Sequence, residues 1–186
     1  TIRAQPSAAA ADAPAALPEH EPLKNVTGAE PEDVVTYETK NVATVRKTFS
    51  YDEPVGHISI TNALAAACNT GDDVTIQLLA STTLNGVNFS LWSSNHTITL
   101  DLNGYELDGG LTVGQKSGEQ CKLRIVDSST GGSVSKIEMY TWGELYLDAA
   151  VSTTIEALSF ETNFAGTVTL TQGRVASWSF NNNTAT

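Results

Sequence analysis

Between Thr97 and Val113 the chain reads TITLDLNGYELDGGLTV, and its apolar residues fall in three short alternating runs. Ile98, Leu100 and Leu102 form the first, Tyr105 and Leu107 the second, Leu111 and Val113 the third. Asn103-Gly104 and Gly109-Gly110 separate them. Alternation of period two turns one face of each run inward, and Asn-Gly or Gly-Gly supplies the positive φ that a tight corner needs. Three strands joined by two corners make one coil of a parallel β-helix.

The same pattern recurs. First runs lie at Val74-Ile76-Leu78, Ile98-Leu100-Leu102, Leu123-Ile125, Leu145-Leu147 and Val168-Leu170, with starts 24, 25, 22 and 23 residues apart. A period in the twenties is the signature of a solenoid. Third runs keep step at Val87-Phe89-Leu91, Leu111-Val113, Ile137-Met139, Ile155-Leu158-Phe160 and Trp178-Phe180. Corners fall between them at Asn103-Gly104, Asp127 to Gly132 and Gln172-Gly173. The expected fold class is all-β, a short right-handed parallel β-helix of about five coils, roughly 25 Å tall at one strand spacing per coil.

Three segments precede the coils, which occupy residues 73–186. Residues 1–32 hold Ala8 to Ala11 and five prolines with almost no large apolar side chains, a composition that reads as an extended tail. Residues 33–56 form a strand-forming arm with runs around Val34 to Thr39 and Thr44 to Tyr51. The arm either packs on its own first coil or is donated to another subunit. Residues 57–72 carry the one helix pattern, SITNALAAACNT from Ser59 to Thr70. Ser59 or Thr61 can cap it, Ile60, Leu64, Ala67 and Cys68 share a face, and Gly71 can stop it. Such a helix would cover the first coil, whose open cross-section is apolar and whose backbone edge is unpaired. After Trp178 and Phe180 no second helix pattern follows, so the last coil is expected to be uncapped, either because the solenoid continues in a longer protein or because a partner covers it.

HTITLDLNGYELDGGLTV followed by CKLRIVDSSTGGSVS resembles the coil of right-handed parallel β-helix proteins, and more narrowly the pectate-lyase-like modules of bacterial secreted and cell-surface proteins. In those modules too a helix ending in Gly-Asp leads into the first coil, as Ala65 to Val74 does here. The resemblance spans about residues 57 to 180 and implies the fold and a bacterial cell-surface setting. It implies little about activity, because enzymes, adhesins and stalks share this packing motif. The enzymes of the fold usually have more coils.

Charge narrows the choice. With 21 Asp and Glu against 10 Lys and Arg the formal net charge is −11, so a nucleic-acid backbone is repelled. No run approaches the roughly 18 apolar residues of a membrane span. The chain begins at Thr1 and is rich in Thr, Ser, Asn and Gly, consistent with a processed or trimmed extracellular protein. Cys68 and Cys121 stand alone, outside any CxxC or Cys/His cluster, and are either two small buried side chains or one disulfide. No metal or cofactor site is expected, since His20, His57 and His96 are scattered and no strand-to-helix glycine loop occurs.

Two functional expectations follow. The first is a non-catalytic structural protein, a subunit of a surface fibre or filament or an adhesin stalk. It would self-associate or meet a host or cell-surface glycan or protein, with Val34, Val35, Tyr37, Val45, Phe49, Tyr51, Trp178 and Phe180 as its assembly residues. The second is a carbohydrate-binding or polysaccharide-cleaving domain using Arg124, Asp101, Asp148 and Tyr146 on the outer face of the first sheet. Asp101 and Asp148 lie two coils apart, on the order of 9.6 Å, at the upper edge of an inverting carboxylate pair. Some of Trp92, Tyr140, Trp142 and Tyr146 offer stacking faces to a sugar, or else Trp92 and Trp142 close corners while Trp178 fills the last coil.

Overall fold

The computed structural model describes residues 39–93, 96–114 and 120–181. In chain order the elements are β1 (Ala43–Lys47), β2 (Val55–His57), α1 (Ile60–Asn69), β3 (Val74–Leu78), β4 (Thr82–Leu91), β5 (Thr97–Asp101) and β6 (Glu106–Val113). They continue with β7 (Cys121–Val126), β8 (Ser133–Met139), β9 (Gly143–Asp148), β10 (Thr154–Phe160), β11 (Thr167–Gln172) and β12 (Arg174–Phe180). Two sheets result, a seven-stranded one ordered β11-β9-β7-β5-β3-β1-β2 and a five-stranded one ordered β12-β10-β8-β6-β4. Five rungs, β3 to β11, make about four turns of a parallel β-solenoid.

The register follows the apolar alternation. Val74 pairs with Ile98, Ile98 with Leu123, Leu123 with Leu145 and Leu145 with Val168. In the second sheet Phe89 pairs with Leu111, Leu111 with Ile137, Ile137 with Leu158 and Leu158 with Trp178. Each inward apolar residue therefore sits over its counterpart one rung away. Ile76, Leu100 and Ile125 are fully buried in one such stack, and each side chain contributes about 1.5–3 kcal/mol by leaving water.

Each coil has two strands where the pattern predicts three. The second and third runs merge, because backbone pairing continues through the bend between them. In β6 the bend is taken by Gly109 at φ 113°, where a side chain would also meet Leu84 Cβ at 2.7 Å. Gly110 beyond it already pairs with Asn88 and Lys136. In β4 the same place holds a longer outward loop, with Asn85 at φ 55° and Gly86 at φ 74°. Val87, expected to face inward, is carried out to solvent by that loop.

At the chain's leading end β1 pairs antiparallel with β3 over five residue pairs, Ala43 with Leu78 to Lys47 with Val74. Ala43 and Val45 are buried, so the second half of the arm packs on its own first coil. Helix α1 lies against β4, β1 and β3 and buries Ile60, Ala63, Leu64, Ala67 and Cys68. Ser59 is its N-cap residue but makes no side-chain cap bond. Buried His96 donates from Nε2 to the Ala67 carbonyl at 3.1 Å, tying the helix to the next rung. The compact unit begins at Thr39, and Val34, Val35 and Tyr37 lie outside the described residues.

Candidate functional sites

Alternation along β7 and β9 projects Lys122, Arg124, Glu144 and Tyr146 from the outer face of the seven-stranded sheet, and Asp148 ends β9. With Thr97 and Thr171, the residues Lys122, Arg124, Tyr146 and Asp148 line a shallow groove of about 320 Å³. Arg124 pairs with Asp148, Lys122 Nζ lies 3.7 Å from Glu144, and the Tyr146 hydroxyl donates to Glu144 at 3.0 Å. That bond to a carboxylate raises the Tyr146 pKa above the ordinary phenol value. The groove thus carries equal positive and negative charge beside one phenol ring.

Asp101 is not part of it. The side chain is only 6% exposed and accepts from Asn103 N at 3.0 Å, Ser128 N at 2.9 Å and Gln77 Nε2 at 2.9 Å. Strict alternation would aim Asp101 outward, but β5 ends there and both Asp101 and Leu102 are buried as the chain turns. Its carboxylate is spent on corner amides, which removes the expected Asp101–Asp148 pair. The neighbouring register shifts as well, since a bulge after Leu170 sets Gln172 rather than Thr171 opposite Asp148.

The trailing end of the solenoid is the second candidate. Among the described residues β11 pairs only with β9, and β12 only with β10. Their inward side chains stay open, with Leu170 43%, Trp178 47% and Phe180 66% exposed. Trp178 and Phe180 stack on Phe160 of the rung behind, with ring centroids 6.0 and 4.9 Å away. An apolar cross-section and two backbone edges left unpaired by the described residues meet here, the combination that accepts an added strand.

The other expected assembly residues divide. Val45 is buried within its own chain, whereas Phe49 and Tyr51 stand fully out in the loop after β1. That loop borders a cleft of about 620 Å³ lined also by Lys47, Asp52, Asp72 and Asp73. Lys47 pairs with Asp72 at 2.8 Å and Ser50 Oγ donates to Asp52 at 2.6 Å. Trp92 is partly buried and stacks on Phe89 at 5.9 Å, while Trp142 turns the corner before β9 at φ 64°. Cys68 and Cys121 are buried free thiols, pushed by burial up to about 11 and about 12.

Two contributors escaped the sequence reading because their partners are distant in the chain. Asp127 accepts from Gly104 N at 2.7 Å, Gly132 N at 2.9 Å and Thr153 Oγ1 at 2.7 Å, locking the corners of three coils. Asn88 reaches across Gly110, where a Cβ would collide with its amide, to donate to Glu138 at 3.0 Å. The Asp-to-Gly spacing around a corner is the one signal that could have flagged Asp127. Among the described residues no group of three or more His, Cys, Asp or Glu gathers to hold a metal ion, and no helix is long and apolar enough to cross a membrane. No family model, curated protein or solved structure matches the chain.

Proposed function

We propose that the chain is a non-catalytic extracellular structural protein, a β-solenoid subunit of a surface fibre, filament or adhesin stalk that associates through its trailing coil. The observation that carries this reading is the rung formed by β11 and β12, with Leu170, Trp178 and Phe180 exposed beside strand edges that are unpaired among the described residues. The coil's resemblance to pectate-lyase-like modules of bacterial surface proteins supports the extracellular setting. Light scattering and negative-stain microscopy of the full chain over a concentration series test it. Wild-type protein forms large assemblies, and Leu170→Lys/Phe180→Lys, at positions already open to solvent, remains monomeric. A wild-type monomer at every concentration overturns the reading.

The groove beside Tyr146 favours a second reading, a glycan-binding face. Its polar lining and single phenol ring suit a neutral sugar better than a uronic acid, because each cation there already has a carboxylate. Binding on a glycan array that Tyr146→Ala abolishes would support it, and wild-type protein that binds no glycan would sink it.

A further inference from the structure

We propose that the corner cleft formed by the turns 140–143 and 161–164 binds a neutral sugar, with the Trp142 indole as its stacking platform. The cleft shares no lining residue with the groove beside Tyr146 and uses none of Leu170, Trp178 and Phe180. It therefore goes beyond both readings above.

Close backbone packing builds the corner. A side chain on Gly143 would strike the Val113 carbonyl, and one on Gly166 would strike the Gly143 carbonyl, so glycines let three successive corners approach each other here. Gly143 N donates to the Tyr140 carbonyl at 3.1 Å and Phe164 N to the Glu161 carbonyl at 3.0 Å, which closes one tight turn in each of two neighbouring coils. Thr141 Oγ1 donates to the Asn163 carbonyl at 3.0 Å and ties the two turns together. Tyr140, Thr141, Glu161, Thr162 and Asn163 line the resulting cleft of about 360 Å³. That volume lies in the range of small-ligand pockets.

Trp142, next in the chain to Thr141, is the anomaly that points to a ligand. It takes the third position of its turn at φ 64°, in the left-handed region that a bulky residue enters only under strain. In the turn that Tyr105 N closes on the Leu102 carbonyl, glycine holds that position, with Gly104 at φ 79°. The Trp142 ring is 49% exposed and stacks on no other described aromatic ring, so core packing does not offset the strain. Strain retained at an exposed aromatic residue beside a cleft points to function. The polar lining then selects the ligand. The Asn163 amide makes no hydrogen bond to another described residue, and Glu161 Oε1 accepts from Asn181 Nδ2 at 3.0 Å while its carboxylate keeps further lone pairs. A pyranose presents an apolar C–H face and a rim of hydroxyls that both donate and accept, which matches an indole beside an amide, hydroxyls and one carboxylate. A uronic acid fits poorly, because its charge would meet Glu161 in a cleft whose lining holds no Lys or Arg.

Titration calorimetry of the full chain with neutral oligosaccharides of glucose, galactose, mannose and N-acetylglucosamine, and with a galacturonate oligomer, tests this. Trp142→Gly is the informative variant, because glycine adopts the left-handed turn without strain and its melting temperature should stay close to that of wild type. A neutral sugar is expected to bind wild type, to bind Trp142→Gly about tenfold or more weakly, and to bind Tyr146→Ala as it binds wild type. Asn163→Ala, at an exposed position, is expected to weaken binding as well and carries the test should Trp142→Gly fail to fold. Absence of heat with every neutral sugar overturns the proposal, as does equal binding by wild type and Trp142→Gly. Preference for the galacturonate oligomer overturns it too. Binding that is lost in Tyr146→Ala and kept in Trp142→Gly overturns it in favour of the sheet groove. Assembly is read separately by Leu170→Lys/Phe180→Lys, so failure here is distinct from failure of the trailing-coil reading.

Discussion

At the leading end of the solenoid β3 has β1 on its outer edge and α1 lies against the rung, so Ile76, Leu64 and Ala67 see no water. At the trailing end β11 and β12 each have one strand neighbour among the described residues, and Leu170, Trp178 and Phe180 face solvent. Both ends are made from one repeating pattern of inward apolar residues. Among the described residues, what separates them is an added layer, present at the leading end and absent at the trailing end. Under the proposed function, the leading end supplies stability and the trailing end supplies association.

The largest effect expected from this contrast is in paired truncations. Leu64→Ala, in the fully buried cap, should cost about 2–5 kcal/mol of folding stability by leaving a cavity. Leu170→Ala, at a half-open position, should cost less than about 1 kcal/mol in the monomer while weakening assembly. Denaturant melts of dilute protein check the first part, and light scattering the second. Equal losses at the two sites would remove the distinction.

A corner belonging to neither end supplies the control. Partial burial pushes the Asp127 carboxyl up, but hydrogen bonds from Thr153 and from the Gly132, Gly104 and Ser129 amides together outweigh it and hold its pKa below the usual carboxylate range. A folded pKa below the unfolded one adds stability that is fully present above the unfolded value, near 4, and is lost as pH falls through the lower folded value. Asp127→Ala should destabilise the fold by about 1–3 kcal/mol at neutral pH through unpaired amides. The deficit should shrink on acidification below about pH 4. Thermal melts from pH 7 to pH 2 follow it.

Smaller effects come from charge. With a net charge of −11, copies repel one another, so raising salt from about 0.05 to 0.5 M should promote assembly without changing the monomer's melting temperature much. Smallest of all is Asp72→Asn at the leading end. The Lys47 partner, by hydrogen bond and charge, holds Asp72 below its ordinary pKa, but the pair is fully exposed and screened. Its removal should leave the melting curve unmoved.

The rung register was legible in the sequence because a one-residue slip would turn every inward side chain outward. Val74, Ile98, Leu123, Leu145 and Val168 therefore stack as their spacing predicts. Alternation fails where strands end. Asp101 turns inward at a corner to collect amides, and Val87 leaves the core on a loop of left-handed residues. Three of the four anticipated ligand-face residues survive, since Arg124 and Tyr146 are mid-strand and obey alternation and Asp148 stays exposed at the end of β9, while Asp101 turns inward. The merging of two runs into one strand depended on Gly110 keeping its ladder bonds beyond the bend at Gly109, a matter of neighbouring coils that a single stretch does not display.

Amide hydrogen exchange at two protein concentrations tests the division between the ends most directly. Fast exchange is expected in β11 and β12 in dilute protein and marked protection in concentrated protein, with β3 and β4 equally protected in both. Protection of β11 and β12 that does not respond to concentration, or a response confined to β3 and β4, would contradict it.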